Sequence, residues 1–352
     1  MSDAALDIPA SHDDLDGVPP PAATPTLFGH RSEFAELASA EAAGRLHHAW
    51  LFQGPRGVGK ATTAFAFARH LLSPGHARGT EAPVFDPADP AMRQIALGTY
   101  PGLVHVTRPP VEKGTGFRTQ ITVEGVRKLN RFFQATGSRT SWRIAIIDPA
   151  DDMNRSAANA LLKILEEPPA RSVFLIMNHT PGRLLPTIRS RCRTLRFEPL
   201  EDADLAAATA AALPSAGQDE IAAAVPLSEG SARQAISLIA YGGIEIRKSL
   251  QTLIAADRPD WNSIHSMADA LTQKGREQAY EFLITALLSA TAEASEACVS
   301  RGDSAGAASL AALWQDETAR LREAAAYNLD RKQALLTLFD RFYRCRGAAS
   351  AA

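Results

Sequence analysis

The chain has 352 residues, too many for one ordinary core and about enough for two or three domains. Its 37 Lys plus Arg stand against 39 Asp plus Glu; the formal charge of -2 gives no global drive to wrap nucleic acid, so any DNA contact must be local. The three cysteines, Cys192, Cys298 and Cys345, are odd in number and far apart, which excludes a disulfide framework and a Cys-cluster zinc site and fits reduced thiols in a cytoplasmic protein. The first residues carry Asp3, Asp7, Asp13 and Asp14 rather than the apolar run of a signal peptide. No later stretch reaches the roughly 18 uninterrupted apolar residues of a membrane span.

Residues 1–25 are rich in Ala, Pro and Asp, end in Pro19-Pro20-Pro21 and Pro25, and read as a disordered tail. From Leu27 onward, short apolar runs alternate with helical patterns, the signature of a parallel sheet covered by helices. Five strands are predicted: His48–Gln53, Leu103–Thr107, Arg143–Asp148, Ser172–Asn178 and Cys192–Phe197. Between them, Val126, Leu129 and Phe133 share one face of a helix predicted over Val123–Thr136, with Thr122 as its cap. A second helix, Asn154–Glu167, repeats Ala157, Leu161, Ile164 and Leu165 at helical spacing and stops at Pro168-Pro169. The stretch Ser73–Tyr100 has no clear period and reads as an irregular insertion. After Leu200 the pattern is Ala- and Leu-rich helix, in a small section to about Tyr241 and a longer one from Ile244 to Arg346.

Gly54-Pro55-Arg56-Gly57-Val58-Gly59-Lys60-Ala61 follows a predicted strand and opens a helix, the context in which Gly-x-x-x-x-Gly-Lys reads as a phosphate loop. The glycines let backbone amides curl round phosphate oxygens, the helix start adds a positive dipole, and Lys60 adds a point charge. The hydroxyl that should follow the lysine and ligate magnesium is missing, because that position is Ala61; Thr62 is one residue late, about 100° round the helix. Two readings stay open, weak retention of ATP or ADP and an inherited turn around an empty pocket. The third strand ends in Asp148, which either faces a magnesium ion beside such a loop or is a solvated strand terminus. The next position, where a carboxylate would polarise the attacking water, is Pro149, and the nearest substitutes are Asp151 and Asp152.

These residues resemble the AAA+ clamp loaders of bacterial DNA polymerase III, and among them the delta-prime subunits. The resemblance is carried by His48-Ala49-Trp50-Leu51-Phe52, by the run Asn159–Pro169 with its Leu-Glu-Glu-Pro-Pro, by Thr187-Ile188-Arg189-Ser190-Arg191-Cys192, and by Gly230-Ser231-Ala232-Arg233. It spans about Leu27 to Tyr241; the C-terminal helices match only in kind. It implies a tail over 1–25, a nucleotide-binding-type α/β domain over 26–199, a helical lid over 200–243, an all-α collar over 244–347 and a tail over 348–352.

The resemblance further implies that Arg191 reaches in trans to ATP bound by a neighbouring subunit, where a planar, permanently charged guanidinium suits phosphate oxygens. Alternatively, Arg191 belongs to a basic surface strand with Arg189, Arg193 and Arg196. Arg233 matches the lid arginine that touches the chain's own nucleotide, or is one exposed helix charge. Asn178 matches the polar residue that senses the outer phosphate, or caps a loop at its strand end. Implied partners are gamma/tau motor ATPase and delta subunits through the collar, and the sliding clamp and primed DNA through the complex. Ser73–Tyr100 lacks the four cysteines many relatives carry, so no zinc is expected, and neither is any intrinsic ATPase or polymerase activity. Two alternatives remain, a self-sufficient motor-type clamp-loader ATPase and a nucleic-acid-binding module outside replication.

Overall fold

A computed structural model of the chain describes residues 9–72, 81–82, 84–86, 88–112, 114, 116–134, 141–180, 182–327 and 329–350. They fall into two compact units, divided between Ile236 and Ser237.

The first unit runs α1 (Arg31–Ala42), β1 (Ala49–Gln53), α2 (Lys60–Leu72), α3 (Pro90–Ala96), β2 (Leu103–Val106), α4 (Val123–Gln134), β3 (Arg143–Ile147), α5 (Arg155–Glu166), β4 (Ser172–Asn178), α6 (Pro186–Arg189), β5 (Arg193–Arg196), α7 (Asp202–Ala212) and α8 (Gln218–Ala224). The five strands form one parallel sheet in the order β2-β3-β4-β1-β5. β1, β3 and β4 lie inside it and are covered on both faces, which is why they read as unbroken apolar runs. Side chains alternate between faces. Trp50, Phe52, Ile146 and Leu175 pack with Phe34 of α1 and Phe67 of α2. Leu51, Ala145, Phe174 and Ile176 pack with Leu129 of α4 and Leu161 of α5 on the opposite face. Edge strand β5 buries only Leu195 and turns Arg193, Thr194 and Arg196 outward, charges that discourage further strand pairing.

The expected strands and the α5 helix hold to within a residue or two, with Asn154 capping α5 through its side-chain oxygen and the Ala157 amide. The end of the predicted helix at Thr136 lies outside the described residues. The insertion is not wholly irregular: Asp89 caps and Pro90 opens the short helix α3, a start signal within an otherwise aperiodic stretch.

One expectation is corrected. Residues 1–8 of the expected tail lie outside the described residues; residues 9–25 are not a free tail but a strap laid along the rest of the first unit. Leu15 is buried. The buried Arg69 guanidinium of α2 donates to the carbonyls of Thr24 at 2.6 Å and of Pro21 and Ala22 at 3.0 Å, and lies over the Phe85 ring. Composition predicted disorder because the strap buries little apolar area of its own; its order comes from donors supplied by distant residues.

The helices expected as a lid over 200–243 cluster partly with the sheet: α7, α8 and the start of α9 (Ala232–Ala240) belong to the unit ending at Ile236. The second unit is all helical after that point, with α10 (Gly243–Ala255), α11 (Trp261–Leu271), α12 (Glu277–Ser300), α13 (Ser304–Ala326) and α14 (Arg331–Ser350). Leu250, Leu283, Leu287, Leu313, Leu338 and Phe339 make its core. Glu317 is fully buried there and held by Arg320 and Arg341. α14 continues to Ser350, past the expected boundary at 347, through alanines that favour helix. By length and composition α12 is the one helix among the described residues that could cross a membrane, yet its Leu283, Leu287 and Thr291 face the helical core.

Candidate functional site

The loop between β1 and α2 is shaped by its glycines. Gly57 and Gly59 have φ of +84° and +109°, a region that residues with a Cβ rarely enter. Gly54 is required for another reason, since a Cβ there would stand 2.1 Å from the Phe197 carbonyl oxygen. Val58 is buried, and His30, just ahead of α1, bonds through Nε2 to its carbonyl at 2.6 Å. Pro55 and Arg56 form the exposed tip. Lys60 opens α2, is buried, and folds its ammonium back onto the carbonyls of Gly54, at 2.7 Å, and Pro55. Burial lowers its pKa to about 8, against the opposing pull of Asp148, Asp151 and Asp13.

The motif at 230–233 docks on this loop. Gly230, at φ +71°, lies so close to Pro199 and Leu200 that a Cβ would clash. The Ser231 hydroxyl donates to the Arg56 carbonyl at 3.2 Å, and the Arg233 amide to the Gly57 carbonyl at 3.3 Å. The sequence-predicted Arg233 is thus brought to the loop between β1 and α2.

Loop, α2, strap and α9 are among the elements that line an open cavity of about 580 Å³, whose wall includes Gly57, Gly59, Lys60, Asp148 and Arg233. Ala61 and Thr62 also line it. Burial, then the charge of Asp13, pushes the Asp148 carboxyl up to about 7, while Lys60 and Arg56 pull it down. Both substitutes for a catalytic base already have partners. Asp151 accepts from the Asn178 side-chain amide at 2.8 Å and from the His179 and Thr180 amides at 2.6 and 3.1 Å. Asp152 pairs with Arg108 at 2.6 Å and lies 3.9 Å from His12. Asn178, at the end of β4, belongs to this network. It is buried, and its amide is spent on Asp151 and on the Thr180 carbonyl.

The glycine cradle and Lys60 fit a phosphate group. Magnesium-assisted hydrolysis is not fitted, since Ala61 offers a methyl in place of a hydroxyl, Pro149 offers no carboxylate, and both nearby aspartates are engaged.

Sequence reasoning missed Asp13. Its carboxylate, on the strap, pairs with Arg56 at the loop tip and lies 3.4 Å from Arg233, which also donates to the Asp13 backbone carbonyl. Burial alone would raise the Asp13 pKa; the charges of Arg56 and Arg233 outweigh it and hold the carboxyl below its ordinary range. Only acidity marks this residue in the sequence, and nothing local identifies its partners.

Arg191 lies between α6 and β5, away from this cavity. Its guanidinium pairs with Glu166 of the Leu-Glu-Glu-Pro-Pro run at 2.7 Å and donates to the Thr187 carbonyl at 3.0 Å, with about a third of the side chain, 36%, exposed. The two most specific motifs of the chain thus meet in one ion pair. Arg193 does not share its setting, pairing instead with Glu36 and lying over the Trp50 ring.

A family model described as DNA polymerase III, delta subunit, matches residues 29–201. The delta-prime subunit of DNA polymerase III from Escherichia coli is 32% identical over 274 residues, covering 74% of this chain and 74% of that protein. Similarity to gamma/tau subunits is shorter: that of Mycobacterium bovis is 33% identical over 180 residues, 50% of this chain and 29% of its own. A solved gamma subunit-related protein of Thermotoga maritima is 14% identical, with 89% of this chain and 99% of that one covered at a TM-score of 0.44. On the length and identity of the first of these relatives, the chain belongs to the delta-prime family of DNA polymerase III clamp-loader subunits.

Proposed function

We propose that the chain is a non-hydrolysing clamp-loader subunit that lends Arg191 to ATP bound by an adjacent gamma/tau-type motor subunit, and so supports ATP-driven loading of the sliding clamp on primed DNA. The observation that carries this reading is a division of labour within one fold: the chain's own pocket keeps a phosphate cradle without the groups hydrolysis needs, while an arginine of the most specific motif stands at a separate surface. Arg191 is restrained by a half-exposed ion pair, and pairs of that kind contribute roughly 0–1 kcal/mol, little enough to be exchanged for a triphosphate. A guanidinium so delivered stabilises charge on the transferring phosphoryl group and can change turnover by about 10³–10⁵. The collar role of the helical second unit, contacts with delta and gamma/tau subunits, and action in the cytoplasm belong to the same proposal.

The competing motor reading is tested by ATP turnover of the isolated chain. Essentially no phosphate release is expected; steady turnover near 1 s⁻¹, in the range of phosphoryl-transfer enzymes, would favour the motor. A nucleic-acid module acting alone would show DNA binding by the lone chain that weakens steeply with salt.

A further inference from the structure

The strap places a carboxylate at the wall of the cavity beside the phosphate loop. Asp13 lines the cavity together with Gly57, Gly59 and Lys60. Its partners are Arg56 of the phosphate loop and Arg233 of α9. The strap is fastened on both sides of Asp13. Ahead of it, His12 Nδ1 lies 2.8 Å from the Thr107 hydroxyl just after β2. Behind it, Leu15 is buried and Arg69 binds the carbonyls of Pro21, Ala22 and Thr24.

We propose that residues 9–25 are a built-in occupant of the pocket, the Asp13 carboxylate standing in for a nucleotide phosphate between Arg56 and Arg233, so that a nucleoside di- or triphosphate and the strap compete for one place. In the exchange one anion leaves the two guanidiniums as another, more highly charged, arrives. Lys60 fits the same picture. Its ammonium is held by carbonyls of its own loop, at the cavity that Asp13 also lines. A seated strap lowers apparent nucleotide affinity by the fraction of molecules in which it is open. If it is seated in roughly nine molecules of ten, releasing it tightens binding about tenfold. This inference stands apart from the role of Arg191: it concerns the chain's own pocket and is read without any neighbouring subunit.

The test is equilibrium binding of N-methylanthraniloyl-ADP to the full chain, by fluorescence anisotropy, for the wild type, Asp13→Asn and Asp13→Asn with Lys60→Ala. Asp13→Asn is expected to bind at least about tenfold more tightly than the wild type, and the added Lys60→Ala to abolish the gain. Hydrogen exchange of the wild type gives a second readout that needs no variant: saturating ADP should speed exchange across residues 9–25. Equal or weaker binding by a folded Asp13→Asn, a gain that survives Lys60→Ala, or exchange across the strap that slows when ADP binds, would each overturn the proposal.

Discussion

Replacing Asp148 by Asn should stabilise the first unit, and by an amount that grows with pH. The Asp148 carboxyl is pushed up to about 7 from an ordinary 3.8, chiefly by burial. A carboxyl whose folded-state pKa lies above its unfolded value costs nothing below the unfolded value, where both states are protonated. It costs progressively more as pH rises through the window between the two, and the full amount above about 7. At about 1.4 kcal/mol per pH unit the ceiling is about 4 kcal/mol. Lys60 recovers part of that by facing the ionised carboxylate, and it would lose this partner in the variant. A net gain of about 1–2 kcal/mol is therefore expected at pH 8.5 and little at pH 4.5. Urea unfolding at the two pH values measures it, in a background where Trp261 and Trp314 are changed to Phe so that Trp50 and Trp142 report on the first unit. A gain of equal size at both values, or a loss at pH 8.5, would refute the reasoning.

Asp151→Ala should destabilise the first unit by about 2 kcal/mol, because it strands the Asn178 side-chain amide and the His179 and Thr180 amides that now share one carboxylate; urea unfolding of the variant checks it. Arg69→Met should leave the sheet folded yet expose the strap to proteinase K, since three strap carbonyls lose their donor. Faster cleavage confined to residues 9–25 is the expected pattern, and an unchanged digest would contradict the anchoring role.

The sheet was legible because its interior strands must be apolar on both faces, so Trp50, Ile146 and Ile176 sit in runs that a helix of that length does not produce. The loop was legible for a different reason: glycines at 54, 57 and 59 mark backbone that other residues cannot adopt, and Gly230 does the same beneath α9. The strap was not legible. Its order depends on Arg56, Arg69 and Arg233, the last of which is 220 residues along the chain from Asp13, and no local period or propensity encodes pairing at that range. Asn178 was ambiguous on the same grounds. Its contact with Asp151 comes from 27 residues earlier, beyond any local pattern. Arg191 could be picked out by motif, but its hold on Glu166 joins two motifs that the sequence shows only in order.

The claim that most needs a direct measurement is that Arg191 acts on another subunit's ATP. DNA- and clamp-stimulated ATPase of the reconstituted clamp loader, carrying wild-type chain, Arg191→Ala or Arg191→Lys, addresses it. Loss of the half-exposed pair with Glu166 should cost the isolated chain less than about 1 kcal/mol and leave the complex assembled. Turnover should fall by about 10³ with alanine at the site that this chain completes, with only partial rescue by lysine, whose point charge lacks the planar fork. An assembled Arg191→Ala complex that hydrolyses ATP at the wild-type rate at every site would contradict the account.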